Sequence, residues 1–488
     1  MSLLGQLAAV MEESRAEYET LKETPAPVFC CLEQYFAQRD GTPGDRAHAD
    51  GGTGMMRNGA ALGDNLDFMR WLISERKMAG ALDLIYIDPP FFSGANYEAE
   101  IRISAEKIKL PRMKQKAYGD TWENGMEDYL RMLAVRLLFM RDLLADTGGI
   151  WVHLDWHAAH YVKIIMDDIF GPENFVNEVI WTYKSGGVSS RRFARKHDTL
   201  LYYAKSGAYY FKTQKEKSYN RGFLPYRFKG VQEYEDEIGW YTLVNKKDVW
   251  QIDMVGRTAS ERTGYATQKP EALLAQILES CTREGDLCAD FFCGSGTLAA
   301  AAQRLGRRWI CCDSGKLAAA AVKKRMARQS ADFDGWYSKE EWGHRIEDGG
   351  ICVKAQLRRT DEGGAAAFCA EIESCGMPDI DELPLRRSQR EHLRKLAQEE
   401  PLSLIDHWSV DFHYDGEVFR PQAVVLRNEG TLDLRAEWPL SGAELETLEK
   451  EWAEAGKEAG KERGARLAAV KVCDVFGGCK FGVTEIRS

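Results

Sequence analysis

The sequence predicts an α/β fold, because predicted strands and helices alternate along two stretches of the chain. In the first stretch, residues 58–180, "LDLIYI" is a short apolar strand that follows a helical segment with Asp64 near its start. In the second, from about residue 265, "LCADFFCGSGTLAAAAQRLGRRWICCDSG" predicts a strand, a glycine-rich turn, an alanine-rich helix and another strand. After about residue 330 short strands and helical segments are mixed, which predicts a smaller C-terminal domain that is β-rich, of the α+β type.

The remaining elements follow from the same patterns. Residues 1–40 are predicted to be helical, and "RDGTPGDRAHADGGTG" (39–54) is predicted to be a linker. "MEDYLRMLAVRLLFMRDLLAD" (126–146) has apolar residues at helical spacing, and the strand "GIWVHLD", the helix "AAHYVKIIMDDIFG" and the strand "DTLLYYAK" come after it. The predicted units are an N-terminal helical segment and linker (1–54), a main α/β domain (55–330) and a C-terminal accessory domain (331–488).

The composition is that of a folded protein without a membrane span. The chain has 488 residues, enough for two or three domains, with 44% hydrophobic and 29% charged residues. No apolar run approaches the ~18 residues that a membrane span needs, and the N-terminus lacks the basic region of a signal peptide. The twelve cysteines include no C-x-x-C pair. We therefore expect no metal site, and reduced thiols in a cytoplasmic protein.

Positive charge is concentrated in one segment of an otherwise acidic chain. The net charge is −10, which argues against a protein that coats nucleic acid indiscriminately. Residues 181–230 nevertheless carry twelve Lys and Arg against two acids, so this segment has a net charge of +10. Aromatic residues are interleaved with the bases, a mixture that suits phosphate contacts and base stacking. The alternative is a solvated basic face beside a hydrophobic core.

A glycine turn between a strand and a helix indicates a nucleoside ligand. Gly294 and Gly296 allow close approach of a ligand to the backbone, and Asp313 ends the next strand, 19 residues after Gly294. An acid at that place can hold ribose hydroxyls. Ala299 stands where a third glycine would be expected, which weakens a nicotinamide or flavin interpretation and favours S-adenosylmethionine (SAM). The alternative is a purely structural strand–helix turn.

The strand "LDLIYI" ends on Asp88, Pro89, Pro90 and Phe91. The prolines fix the backbone and lack N–H donors, so the Asp88 carboxylate and the Pro89 carbonyl are the acceptors that the turn presents. An amino group could donate to both of them, while Phe91 offers a face for a planar base. The pattern predicts a pocket for the exocyclic amine of a nucleobase, which a duplex must flip out. The alternative is a rigid loop.

Taken together, the motifs resemble those of the SAM-dependent amino-methyltransferases of DNA, the N6-adenine and N4-cytosine group. "DPPF" resembles the catalytic motif of that family, "DFFCGSG" its SAM motif, and "TQKPEALL" the motif that completes its cofactor pocket. The resemblance spans roughly residues 58–326. The catalytic motif precedes the SAM motif, and this permuted order resembles the β class. In that class the target-recognition region lies between the two motifs, which corresponds here to about 185–255.

The resemblance implies a Rossmann-like fold, with a mostly parallel seven-stranded sheet flanked by helices, and it implies roles for individual residues. The residues implied to bind and activate the target amine are Asp88, Pro89, Pro90 and Phe91. The implied cofactor-binding residues are Asp64, Thr267, Lys269, Asp290, Phe291, Gly294, Gly296 and Asp313. The candidates for the target-base pocket are His153, Asp155, His197 and Asp198. The basic residues expected to bind DNA are Lys184, Arg191, Arg192, Arg195 and Lys196.

The predicted function is site-specific methylation of DNA. A methyl group moves from SAM to adenine N6 of a flipped-out base by direct in-line transfer, without a metal or a covalent enzyme intermediate. Asp88 favours adenine, because N4-cytosine members of the family usually carry Ser at that position. The alternatives are N4-cytosine methylation, methylation of RNA or of a protein glutamine, and a DNA-recognition and modification subunit that serves a separate restriction nuclease. We expect double-stranded DNA as partner and no membrane; a restriction subunit and a second copy of the chain stay open as partners.

Overall fold

The structure is a computed structural model that describes residues 3–36, 56–101, 103, 113–185, 189–265, 267–338, 346–348, 350–359, 366–376, 378–427, 431–458 and 466–487. Its helices are α1 Leu3–Glu23, α2 Asn65–Ser74, α3 Met126–Leu143, α4 Ala159–Phe170, α5 Glu271–Cys281, α6 Thr297–Arg304, α7 Lys316–Arg328, α8 Arg387–Glu399 and α9 Gly442–Glu458. None of the described helices is long and apolar enough to cross a membrane.

The strands are numbered in chain order. They are β1 Phe29–Tyr35, β2 Gly59–Leu62, β3 Leu82–Ile87, β4 Asn96–Ile101, β5 Met113–Gly119, β6 Leu144–Leu154, β7 Phe175–Thr182, β8 His197–Ala204, β9 Lys215–Tyr219, β10 Glu233–Glu235, β11 Trp240–Asn245, β12 Val249–Gln251, β13 Leu287–Asp290, β14 Arg308–Asp313, β15 Phe333–Ser338, β16 Ile346–Asp348, β17 Ile351–Arg359, β18 Ala366–Cys375, β19 Ile405–Asp411, β20 Ala423–Leu426, β21 Arg435–Leu440, β22 Leu467–Asp474 and β23 Cys479–Arg487.

The main sheet holds ten strands among the described residues, in the order β1-β15-β2-β14-β13-β3-β6-β8-β7-β12. From β15 to β6 neighbouring strands run parallel, whereas β8 is antiparallel to both of its neighbours. The prediction of a mostly parallel sheet is confirmed, but the predicted count of seven strands is too low. The run from β2 to β7 accounts for seven strands, and β1, β15 and β12 extend its two edges.

Helices cover both faces of this sheet. Helices α1 to α4 pack on one face, in a core that includes the fully buried Phe68, and α5 to α7 pack on the other, with Leu274 in the core. Strand β3 contributes to both cores because successive side chains of a strand point to opposite faces. Ile85 belongs to the first core and Tyr86 to the second. The end of β3 is therefore held from both sides.

The N-terminal 40 residues do not form the predicted helix throughout. Helix α1 ends at Glu23, and Phe29–Tyr35 forms β1, which pairs antiparallel with β15. Phe29 and Tyr35 are buried, so packing against the main sheet decides the conformation of this segment. The predicted domain boundaries shift accordingly, since β1 precedes residue 54 and β15 follows residue 330. The predicted linker, 39–54, lies outside the described residues.

A second sheet occupies the C-terminal part of the chain. Among the described strands it holds eight, in the order β20-β19-β22-β23-β17-β18-β21, with β16 beside β23. Its core contains the fully buried side chains of Phe368, Trp408 and Val470, and α9 packs against it through Leu448. This segment is rich in strands, as the sequence predicts.

Two smaller sheets stand apart from the large ones. Strands β4 and β5 pair with each other and form a ribbon that follows the proline-containing turn after β3. Strands β9, β10 and β11 form a sheet between β8 and β12, inside the predicted target-recognition region. Large apolar side chains are exposed in the connections of the β9–β11 sheet, namely Phe223, Leu224, Phe228 and Ile238.

Candidate active site

The turn after β3 and the glycine turn meet at one edge of the main sheet. Strands β3 and β13 are parallel neighbours, with Leu84 opposite Cys288 and Ile85 opposite Ala289. Asp88 follows the end of β3, and Asp290 is the last residue of β13. Because the carboxyl ends of parallel strands share one edge, the two predicted motifs lie side by side.

Asp88 forms an ion pair with Lys269. The Lys269 ammonium lies 2.5 Å from Asp88 Oδ2 and 5.1 Å from the centre of the Phe91 ring, and its side chain is only 9% exposed. The other carboxylate oxygen, Asp88 Oδ1, is buried and has no hydrogen-bond partner among the described residues. A buried acceptor without a partner is costly, so this oxygen is available to a donor from a ligand.

The turn that carries Phe91 is held by Asp120. One oxygen of this fully buried carboxylate accepts from the Phe92 amide at 3.0 Å. The other accepts from the amide and the hydroxyl of Ser93, at 2.6 and 2.7 Å. These three hydrogen bonds fix the chain at Phe92 and Ser93, directly after Phe91.

A buried hydrogen-bond chain lies beneath the turn. Tyr86 Oη is 2.8 Å from His153 Nδ1, His153 Nε2 is 3.1 Å from Asp198 Oδ2, and Tyr183 donates to Asp198 Oδ1 at 2.9 Å. Burial acts to raise the pKa of Asp198, but the hydrogen bond and the charge of His153 outweigh burial and lower it. The His153 ring also stacks on Phe91 at 5.8 Å, so the chain supports the aromatic face of the site.

The glycine turn is closed by Asp313. Gly294 and Gly296 have φ angles of +46° and +72°, and a Cβ at Gly296 would lie 2.8 Å from Val322. The Gly294 amide donates to Asp313 Oδ2 at 2.9 Å, and the Gly315 amide donates to Oδ1 at 2.8 Å. Both glycines are thus required by the backbone, and Asp313 holds the shape of the turn.

Three acids surround the place where the two turns meet. Burial, followed by the charges of Asp88 and Asp313, raises the pKa of Asp290 well above its usual value. The Lys269 carbonyl accepts from the Thr297 hydroxyl at 3.2 Å, which joins the lysine to the helix after the glycine turn. Such a concentration of carboxylates favours a cationic group in this space.

The other predicted cofactor residues border the same region. Asp64 caps α2 and lies 3.0 Å from Arg136 Nη2. Phe291 is fully buried, and its carbonyl accepts from Asn65. The Thr267 hydroxyl is 3.1 Å from that of Tyr118, at the end of β5; Thr267 itself has a φ of +56°. Lys269, predicted near a carboxylate of the ligand, instead contacts the carboxylate of Asp88.

Of the other predicted pocket residues, Asp155 follows the end of β6 and His197 is the first residue of β8. Asp155 pairs with His157, at 2.8 Å from its Nδ1. His197 is exposed at the start of β8, whereas every later residue of that strand is buried. The predicted DNA-binding residues lie in the connection between β7 and β8, where the Arg195 guanidinium covers the ring of Trp156 at 3.4 Å. The exposed members of that set are Lys184, Arg191, Arg192 and Arg195, while Lys196 is half-buried and donates to Ser185.

Sequence reasoning did not identify five residues of the site: Tyr86, Tyr118, Asp120, Tyr183 and Tyr265. Tyr86 could have been predicted from the sequence, since it precedes Asp88 by two positions and shares its face of the strand. Tyr265, whose ring would lie 3.1 Å from a Cβ at Gly294, carried no signal in the sequence. The contacts of the others join segments that are far apart in the sequence.

The residues present fit SAM. The glycine turn gives close access to the backbone, the carboxylates suit a positively charged sulfur, and Asp88 Oδ1 lacks a partner among the described residues. A cavity of about 660 Å³ opens nearby, beside Tyr265 and Thr267, but Asp88 and the glycine turn are not part of its lining.

Comparison with known proteins gives a consistent picture. The sequence model of a DNA methylase family, N6_N4_Mtase, matches residues 82–324. The chain is 27% identical over 333 residues to the type II methyltransferase M.EcaI of Enterobacter cloacae, covering 56% of this chain and 70% of the relative. It is 26% identical over 259 residues to the type II methyltransferase M2.DpnII of Streptococcus pneumoniae, covering 51% of this chain and 84% of the relative.

Similar solved structures are more distant. The M1.HpyAVI–SAM complex matches with a TM-score of 0.37 and 18% identity, covering 55% of this chain and 98% of the other. The PvuII DNA methyltransferase, described as cytosine-N4-specific, matches with a TM-score of 0.37 and 16% identity, covering 56% of this chain and 87% of the other.

Proposed function

Residues 82–324 belong to the family of SAM-dependent DNA amino-methyltransferases, and from this premise we propose that the chain methylates adenine N6 at a specific DNA sequence. The proposal is carried by Asp88 Oδ1, which has no partner among the described residues; Lys269, the partner of Oδ2, also lies over the Phe91 ring. An exocyclic amine has two hydrogens: one is donated to Asp88 Oδ1 and the other to the Pro89 carbonyl. The base plane stacks on Phe91, as aromatic rings do with planar bases.

The residues around Asp88 prepare it to accept these hydrogen bonds. Lys269 stays on Oδ2 and leaves Oδ1 for the amine. SAM, when bound, would supply a methyl group whose bond to a positively charged sulfur breaks as a neutral amine attacks the carbon, so that the sulfur leaves as a neutral thioether. The amine nitrogen becomes acidic only when its new bond to carbon forms, and Asp88 Oδ1, to which the amine donates in this proposal, accepts the proton it releases. Positioning of this kind contributes up to ~7–11 kcal/mol in well-oriented systems.

The basic segment supplies the DNA contacts in this proposal. Arg191, Arg192 and Arg195 are exposed beyond the strands that carry the His153–Asp198 pair. Their charge attracts phosphates, and the interaction offsets the few kcal/mol that flipping a base requires. We propose double-stranded DNA as the substrate on this basis.

Adenine is the proposed target because Asp, not Ser, occupies the first position of the catalytic motif; N4-cytosine is the alternative. The type II names of the relatives favour a restriction–modification context. A second candidate function is therefore a modification subunit that recognises a site for a separate nuclease. Co-purification with a nuclease, and slow methylation by the chain alone, would favour this second function.

Modified-base sequencing of DNA from cells that express the chain tests the proposal. We expect N6-methyladenine at one recurrent sequence with the wild type and none with Asp88→Ala, while purified Asp88→Ala still binds SAM in calorimetry. N4-methylcytosine at a recurrent sequence would replace the adenine assignment. Absence of both marks, or equal methylation by the variant, would contradict the proposed activity.

A further inference from the structure

The β4–β5 ribbon joins the catalytic edge to the C-terminal sheet. Its two strands pair with no other strand of the described chain, and an isolated pair of strands is marginally stable in water. The ribbon therefore depends on its packing. Ile101 and Met113, at the far end, are 7% and 1% exposed, in a hydrophobic cluster with the C-terminal residues Leu393, Leu396 and Phe476.

The turn that carries Phe476 is fixed to the main domain as well. A Cβ at Gly477 would lie 2.8 Å from the backbone of Lys316, so the turn between β22 and β23 touches the first residue of α7. Helix α7 begins just after Asp313, the acid that closes the glycine turn. Gln115 of β5 donates to the Phe476 carbonyl at 3.5 Å. One C-terminal turn thus contacts both the ribbon and the helix behind the glycine turn.

The near end of the ribbon contacts the predicted cofactor segment. Tyr118 reaches the Thr267 hydroxyl, and the Glu100 amide donates to the Gly264 carbonyl at 3.4 Å. The cavity of about 660 Å³ lies between the two segments: its walls include Glu98, Glu100 and Lys114 from the ribbon, and Tyr265, Thr267 and Gln268 from the segment. A second cavity, of about 440 Å³, shares Glu100 and Tyr265 and is also lined by the C-terminal residues Asp474, Val475 and Gly477.

We propose that the C-terminal domain positions the predicted cofactor segment: packing around Phe476 holds the β4–β5 ribbon against Gly264 and Thr267, and the adjoining Tyr265 borders the glycine turn. This inference rests on the proposed function, because it assumes SAM as the ligand. Phe476 is a positioning residue, since it touches the ribbon and not the reacting atoms. When the ribbon is released, only a fraction of molecules has the predicted cofactor segment in place, and the apparent Kd for SAM rises by the inverse of that fraction.

The test is Phe476→Ala in the full chain. We expect the Kd for SAM, measured by calorimetry, to rise about tenfold, as it would with the predicted cofactor segment in place in about a tenth of the molecules. The KM for SAM should rise with it, while kcat at saturating SAM stays within about twofold. Hydrogen exchange at the amides of β4 and β5 should accelerate even without SAM, because the ribbon opens more often.

Leu448→Ala is the matched control, because Leu448 is 4% exposed in the core of the second sheet and lies outside the cluster that holds the ribbon. We expect this variant to lower stability without changing the Kd for SAM or exchange in the ribbon. Ile101→Ala approaches the same contact from the ribbon side. Its effect should resemble that of Phe476→Ala, and the two should be non-additive when combined.

Unchanged SAM affinity and unchanged ribbon exchange in both Phe476→Ala and Ile101→Ala would overturn the inference. Equal effects of Leu448→Ala would also overturn it, since the role would then be general stability. If the wild type bound no SAM, the proposed function would fail. If the wild type binds SAM, and Phe476→Ala and Ile101→Ala bind SAM as tightly as the wild type does, only the inference fails.

Discussion

Asp88 and Glu33 are both carboxylates that bind poorly exposed lysines, but they differ in how fully their oxygens are used. Glu33 is completely buried; Oε2 lies 2.7 Å from Lys323 Nζ, and Oε1 accepts from Lys471. In Asp88, Oδ2 pairs with Lys269, and Oδ1 has no partner among the described residues. The oxygens of Glu33 therefore serve the fold, whereas Asp88 Oδ1 is available to a ligand.

The surroundings of Glu33 show what a completed cluster does. Tyr35 donates to Oε2 at 3.0 Å and Tyr337 to Oε1 at 2.5 Å. The partners come from β1, β15, α7 and β22, so Glu33 ties the N-terminal strand and the C-terminal sheet to the edge of the main sheet. Despite burial, the charges of the two lysines lower the pKa of Glu33. A buried charge is tolerated here because every oxygen is paired.

The largest effect is expected for Glu33→Gln, which leaves two buried lysines without a carboxylate. Breaking a buried ion pair on one side costs about 3–5 kcal/mol, so the free energy of unfolding should fall by about that amount in urea denaturation. The exposed pair Arg359–Glu449 supplies the control, because Glu449→Gln should cost less than about 1 kcal/mol. Equal losses of unfolding free energy in Glu33→Gln and Glu449→Gln would contradict the structural role given to Glu33.

Asp88→Asn should change activity more than stability. Removing one preorganised group that acts on developing charge lowers kcat by about 10²–10³-fold, or about 2.7–4 kcal/mol. Stability should fall less than in Glu33→Gln, since Lys269 also interacts with Asp198 and Asp290. Initial methylation rates and thermal unfolding measure the two quantities.

The double variant Asp88→Asn/Lys269→Met sharpens this contrast. Removing both partners of an ion pair leaves no uncompensated charge, so stability should return while activity does not. Recovery of methylation in the double variant would contradict the role given to Asp88 Oδ1.

Asp198 is an intermediate case, a site carboxylate whose two oxygens are both used. We expect Asp198→Asn to cost about 1.5–3 kcal/mol of stability at neutral pH, the value of a hydrogen bond to a charged group. The lowered pKa of Asp198 determines the pH range over which this residue contributes to stability. The contribution is present above the unfolded pKa, about 3.9, and is lost as pH falls through the folded value. Denaturation curves of both proteins between pH 7 and pH 3 should therefore converge in acid.

Asp474 completes the series as a buried carboxylate whose Oδ1 accepts from two backbone amides, those of Phe476 and Gly478. Burial raises its pKa to about 6. The folded state therefore favours the protonated form, and stability from this group is lost as pH rises through 6. Asp474→Asn keeps the Oδ1 acceptor, so we expect Tm to rise by a few °C at pH 7.5 and by less at pH 5. A larger gain at pH 5 would contradict this assignment.

The sequence predicted the parts of the site that are contiguous along the chain. "DPPF" and "DFFCGSG" predicted turns because they contain proline and glycine, and the backbone preferences of these residues are local. The contact of Lys269 with Asp88 joins residues 181 positions apart, and that of His153 with Asp198 joins residues 45 positions apart. No local preference encodes such contacts, and the same holds for β1, whose strand conformation depends on pairing with β15.

The β9–β11 sheet has a consequence for how this protein can change over evolutionary time. Its strands pair only among themselves in the described chain, while the flanking β8 and β12 are anchored in the main sheet. The segment between β8 and β12 therefore begins and ends at fixed positions in the main sheet, and it can be exchanged as a unit. We expect that exchanging it for the corresponding segment of a relative alters which DNA sequence is chosen and leaves the chemistry at the neighbouring edge intact.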